Sequence, residues 1–129
     1  TIKNNAFNQC SSLKEISLPS SITSIEGNPF NGCTELKIGG SLTKIPQEAF
    51  QNCTSLTKVI LDSNSIQTIE QSAFSGCTNL ESLTIPKSVR SIKQNAFANC
   101  SKLSAVTVSK NAQVEDGAFP DSVTVNRSK

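Results

Sequence analysis

Apolar residues recur along this chain in one phrase, IxxxxFxxCxxLxx(I/V)x(L/I/V), followed by a turn and then (I/V/L)xxI. Each part of the phrase has its own period. Ala6, Phe7, Cys10 and Leu13 fall at relative positions 0, 1, 4 and 7, as do Ala49, Ala73 and Ala96 with their partners. That spacing predicts that each unit opens with a short helix of about two turns and one buried stripe. Asn5, Ser72 and Asn95 stand just ahead of the stripe, where a side-chain oxygen can accept from the first free N–H groups of a helix. Ile16 and Leu18, Val59 and Leu61, Leu83 and Ile85, and Val106 and Val108 then alternate at spacing two, which predicts a short strand with one buried face. Pro19, Pro86 and the pair Gly39 and Gly40 terminate three of these strands. Ile22 and Ile25, Leu42 and Ile45, Ile66 and Ile69, and Val89 and Ile92 turn back toward the core before the next unit opens.

The units are in register. The six Phe, at Phe7, Phe30, Phe50, Phe74, Phe97 and Phe119, lie 23, 20, 24, 23 and 22 residues apart, inside the period range of leucine-rich repeats. Five of them carry a Cys three residues later (Cys10, Cys33, Cys53, Cys77, Cys100) and a Leu six residues later (Leu13, Leu36, Leu56, Leu80, Leu103). A unit of about 23 residues cannot bury these positions by itself, whereas stacked units cover one another. The expected fold is therefore an α/β solenoid, a leucine-rich-repeat right-handed superhelix of about five to six repeats with short parallel strands and short helical turns. One domain spans residues 1–129, with the Phe and Cys positions as its core ladder. Three residues are missing between Phe30 and Phe50, which shortens a strand or its approach, and one is added between Phe50 and Phe74 at the turn Asp62, Ser63, Asn64. In the segment 119–129, Ser122 replaces Cys and Val123, Thr124 and Val125 come early as a final strand, so this stretch reads as a degenerate last repeat, a C-terminal cap or fraying. Beginning at Thr1, partway through a repeat, the chain reads as a fragment of a longer protein.

Composition narrows the function. With 36% hydrophobic and 17% charged residues, the 129-residue chain falls among soluble globular proteins. Its net charge of +2, from 12 basic and 10 acidic residues with signs interspersed, supplies no field for nucleic acid or anionic lipid. No apolar run approaches the ~20 residues that cross a bilayer, and no signal-peptide pattern is present. His, Trp, Tyr and Met are absent, which removes the commonest general base, the commonest zinc ligand and two of the usual interface anchors. No carboxylate pair recurs in an acid–base arrangement, so neither an enzyme nor a cofactor is expected.

The cysteines invite three chemistries, each weaker than burial in a ladder. Stacked Cys side chains point the same way at strand spacing, outside the ~3.5–4.5 Å Cβ separation of a disulfide. Intervals of 20 to 24 residues with no CxxC and no His give no closed zinc site. A nucleophilic thiol lacks a neighbouring His base. The Phe residues sit in the apolar stripe and are expected in the core, not on a base-stacking platform. Lys87, Arg90 and Lys93 form the one local basic cluster, either an anion or partner site or a solvated face. Asn52, Asn99 and Asn126 each begin an NxS/T sequon, which repeat composition also explains.

The AFxxC signature at Ala6 to Cys10, Ala49 to Cys53, Ala73 to Cys77 and Ala96 to Cys100, with NC or GC before Thr or Ser and the closing SxxSI and SIxxI phrases, resembles the BspA-like, or Treponema pallidum type, leucine-rich repeats. The resemblance spans nearly the whole chain, is weaker in the shortened second unit and fails at Ser122. It implies a surface or secreted protein of a bacterium or parasitic protist, in a family where several members are implicated in binding host matrix proteins or other cells.

For binding, the positions between the inward strand residues matter most. Ser17, Lys37, Ile60, Thr84 and Thr107, extended to Thr124, are expected as one outward column on the sheet face, flanked by Glu15, Lys58, Ser82 and Ala105. The face is polar and hydroxyl-rich, and Ile60 is its one large apolar member. Two functions follow from it: an adhesion module presenting this face to a host or matrix protein, or a non-binding spacer that displays another domain.

Overall fold

The computed structural model describes residues 1–3, 12–27 and 29–128. Among these residues the regular elements are ten short strands: β1 (Glu15–Leu18), β2 (Glu35–Gly40), β3 (Lys44–Ile45), β4 (Lys58–Leu61), β5 (Thr68–Ile69), β6 (Ser82–Thr84), β7 (Ser91–Ile92), β8 (Ala105–Val108), β9 (Gln113–Val114) and β10 (Thr124–Arg127). All pair in parallel, and the chain winds as a solenoid of about five turns. The front of the coil carries β1-β2-β4-β6 as one sheet and β8-β10 as another. The return segments, expected only to bring apolar side chains inward, form a second sheet at the back, β3-β5-β7-β9.

The expected helical turns are absent: no helix occurs among the described residues. The stretch around each Phe is instead a chain of tight turns, closed by bonds such as Ala49 N–H to the Pro46 carbonyl (3.2 Å), Cys53 N–H to Phe50 (3.3 Å) and Leu56 N–H to Cys53 (3.1 Å). A helix would need the Phe50 and Asn52 N–H groups, but these donate to the carbonyls of Ala73 and Ser75 in the next coil, both at 2.7 Å. Phe74 N–H to Ala96 (2.7 Å) and Phe97 N–H to Ala118 (2.7 Å) repeat the arrangement. Ser72 and Asn95, expected as helix caps, have φ of 58° and 60°, left-handed values unlike those of an N-cap. They interrupt the helical path, together with Asn52, Gly76 and Asn99 two residues after each Phe, at φ of 60°, 81° and 63°. Asn and Gly tolerate this region best. Asn5 lies outside the described residues.

Between the sheets and the turn wall runs a continuous core. Phe30, Phe50, Phe74 and Phe97 are buried, as are Cys33, Cys53, Cys77 and Cys100 and the inward Leu, Ile and Val positions. The Phe rings stack in one column with centroids 4.9, 5.0, 5.1 and 4.9 Å apart from Phe30 through to Phe119. This matches the ~4.7–4.9 Å ladder spacing, so strand pairing and ring stacking are satisfied by one repeat height. Phe119, with a ring on one side only, is half-buried. Phe7 and Cys10 lie outside the described residues.

Register shows where the length changes fall. Leu36 stands opposite Val59, so it occupies the strand slot, not the slot of Leu56. The three missing residues therefore come out of the approach between Cys33 and β2. The added residue sits after β4, where the buried Ser63 hydroxyl donates to the Gly40 carbonyl (2.7 Å) and accepts from Ser65 N–H (3.2 Å).

Candidate interaction face

The front strands set out their outward side chains in rows fixed by pairing. Lys37 stands opposite Glu15 on one side and Ile60 on the other, and Ile60 opposite Thr84. Glu35, Lys58 and Ser82 form the neighbouring row. Ser17 stands opposite Gly39 instead of aligning with Lys37. The cause is the shortened second coil, which slips β1 by two residues against β2. A slip of two keeps every side chain on its own face, so Ser17 remains outward one rung along. Likewise Thr107 stands opposite Asn126, while Thr124 lies opposite Ala105.

Lys37 is not a free cation. Its ammonium lies 3.3 Å from Asp62 and 3.8 Å from Glu15, an acid–base–acid row across three coils. All three groups are substantially exposed, so the row adds little stability, and its two carboxylates offset the Lys37 charge. Ile60, half-buried between Lys37 and Thr84, supplies the apolar centre. Past Thr84 the face is interrupted by a cleft of about 360 Å³ between β6 and β8, lined by Leu83, Thr84, Ile85, Lys87, Thr107 and Ser109 among others. Sequence alternation gave no sign of it, because Leu83 and Ile85 fit the strand pattern as well as any other pair.

Of the basic cluster, Lys93 pairs with Glu115 at 3.4 Å, and Glu115 also accepts from Gln94 N–H (3.1 Å). Arg90 is exposed beside β7 on the back of the coil, and Lys87 is exposed at the cleft. The structure therefore separates these three side chains by role. Asn52, Asn99 and Asn126 are exposed. The Asn52 and Asn99 turn conformations give their own reason for asparagine.

The cysteines form no disulfide among the described residues, and no group of metal-ligating side chains gathers there. Cys77 Sγ donates to the Phe50 carbonyl (3.2 Å) and Cys100 Sγ to the Phe74 carbonyl (3.3 Å), two coils' backbones tied through one thiol each. Hydrogen bonding to the Cys100 and Cys53 sulfurs, with burial behind it, pushes the Cys77 thiol well above the ordinary range. A thiol so placed does not ionise at neutral pH and is not a nucleophile. Iodoacetamide at pH 8 is expected to leave Cys33, Cys53, Cys77 and Cys100 unmodified in the folded protein and to alkylate all four in guanidinium. Modification of Cys77 at the same rate in both states would refute the buried ladder.

No helix among the described residues is long and apolar enough to cross a membrane. No curated protein matches the chain in sequence. Solved structures do. A leucine-rich cell surface protein from Faecalibacterium prausnitzii A2-165 superposes with a TM-score of 0.65 at 25% identity, over 89% of this chain and 32% of that one. A leucine-rich repeat protein from Bacteroides ovatus ATCC 8483 superposes with a TM-score of 0.59 at 27% identity, over 99% of this chain and 40% of that one. The chain thus spans a third to two fifths of the length of these neighbours. The sequence profile of the BspA type leucine rich repeat region matches residues 1–126 in six copies. With that profile covering nearly the whole chain, and Phe and Cys repeated at matching core positions from Phe30 to Cys100, the chain belongs to the BspA type leucine-rich repeat family.

Proposed function

We propose that this chain is a protein-interaction and adhesion module of a cell-surface or secreted repeat protein of a bacterium or protist, presenting its front sheet to a host or extracellular-matrix protein. The observation that carries this reading is the open front face: Glu15, Lys37, Ile60 and Thr84 stand in one outward row, with no other described segment packed over them. The cell-surface protein among the structural neighbours supports the location. Without Trp or Tyr the face has few strong anchors, so each contact is weak and affinity comes from repetition along an array.

The second reading is a spacer that displays another domain. Its support is that no large apolar side chain is exposed among the described residues. A panel of immobilised extracellular-matrix proteins separates the two. The module reading expects saturable binding to at least one of them, weakened about tenfold, or ~1.4 kcal/mol, by Ile60→Asp. A spacer binds none.

A further inference from the structure

We infer that the split between β6 and β8 is a slot for an extended peptide, which enters as an additional strand of the front sheet. The inference deepens the protein-interaction reading and rests on it. Elsewhere on the front, one bond pattern recurs: an outward residue's N–H donates to the carbonyl preceding its partner in the coil before. Lys37 N–H to Lys14 (2.7 Å), Asp62 to Ile38 (2.8 Å), Ser82 to Thr57 (3.2 Å), Thr124 to Ser104 (2.9 Å) and Ser128 to Val108 (2.8 Å) all obey it. Applied to β6 and β8, the pattern assigns Ala105, Thr107 and Ser109 as donors and Glu81, Leu83 and Ile85 as acceptors. Yet among the described residues no hydrogen bond joins 81–88 to 104–111. The two strand edges face one another with a row of donors and a row of acceptors unjoined, the condition under which sheets accept an added strand.

A second observation points to the same place. Leu83 and Ile85 are half-buried, whereas Leu36, Val59 and Leu61 at the matching positions are at most 2% exposed. The core is incompletely covered at the split. The back sheet is continuous there, with Ile92 opposite Val114, and the Phe74 and Phe97 rings remain stacked at 5.1 Å. These fixed elements act as the hinge. Parts of β6 and β8 stay within 8 Å Cα to Cα, so two ladder spacings of ~4.7–4.9 Å require the split to widen by a few ångström about that hinge.

The walls specify the occupant. An inserted strand continues the rows on either side, with an apolar, β-branched residue between Leu83 and Val106 and another between Ile85 and Val108. A small hydroxyl residue fits between Thr84 and Thr107. Lys87 at the exit favours an acidic residue there. The cleft volume of about 360 Å³ lies at the lower end of the ~300–1,000 Å³ range of ligand sites and suits a short segment.

The probe is the peptide acetyl-Ser-Val-Thr-Val-Asp-amide, with the same peptide N-methylated at both valines as control. Hydrogen exchange of the Ala105, Thr107 and Ser109 amides is read on the intact chain. In free protein these amides are expected to exchange fast while Thr124 is protected, and to slow about tenfold at peptide tenfold above its dissociation constant. The N-methylated peptide is expected to leave them fast. The inference is overturned by protection without peptide, whether constant (a closed sheet) or rising with protein concentration (a second copy in the slot). No slowing at saturating peptide, or equal slowing by both peptides, overturns it too. If these outcomes appear while Ile60→Asp still weakens matrix binding, the slot fails and the open-face reading stands.

Discussion

Truncating Phe74 to alanine is expected to destabilise the chain by about 3–5 kcal/mol, seen as a lowered urea midpoint with native strand content retained in water. The ring is fully buried and stacked on both faces, at 5.0 Å from Phe50 and 5.1 Å from Phe97. Its neighbours cannot close the gap, because each coil is held at its height by backbone bonds: Phe50 N–H to Ala73 and Phe74 N–H to Ala96, both 2.7 Å. The lost area and the unfilled cavity therefore add. Phe119→Ala removes a half-buried ring stacked on one face and is expected to cost clearly less. Equal losses at the two positions would contradict a continuous aromatic column.

Gly40→Ala is expected to detach β1 from β2. Gly40 has φ of +101°, and a Cβ there would collide with the Leu18 carbonyl oxygen and lie 2.7 Å from the Leu18 nitrogen. Both are backbone atoms, so no rotamer change relieves the contact. The φ alone costs about 1–3 kcal/mol for a non-glycine residue, and the clash adds to it. The amides of Lys37 and Leu42, which donate to Lys14 (2.7 Å) and Leu18 (3.0 Å), should then exchange rapidly while β4 and β6 keep their protection. Gly39→Ala is the control, since its Cβ would meet only the Asp62 carbonyl, at 3.3 Å. Intact protection of Lys37 in Gly40→Ala would refute the close approach.

The coiled stack and the identity of its core positions were legible in the sequence because one phrase recurs and only stacking buries all of it. The helical turns expected from the sequence do not form among the described residues, for a definable reason. Phe50, Cys53 and Leu56 are three residues apart at each step, the period of successive i to i−3 turns, and the flanking Ala residues made that spacing resemble a helical stripe. The Asn and Gly residues two positions after Phe30, Phe50, Phe74 and Phe97 are the better clue, since a left-handed φ at that place excludes a helix. The outward row was partly legible. Alternation gives the face of Ser17, Lys37, Ile60, Thr84 and Thr107, but their alignment depends on how the shortened coil slips, which no single strand encodes. The Lys37 ion pairs and the β6/β8 cleft are relations between coils, and local pattern does not carry them.

The central claim is that the front sheet, and not the back, meets the partner. The most direct measurement compares binding of four versions of the chain to the matrix protein that the wild type captures. Ile60→Asp and Thr84→Asp alter the front, while Thr68→Asp and Gln113→Asp place the same charge on outward positions of the back sheet. Folding of each is checked by its melting curve. The account predicts that both front variants lose about tenfold or more in affinity and that both back variants bind as the wild type does. Equal loss from front and back, or unchanged binding by all four, would contradict it.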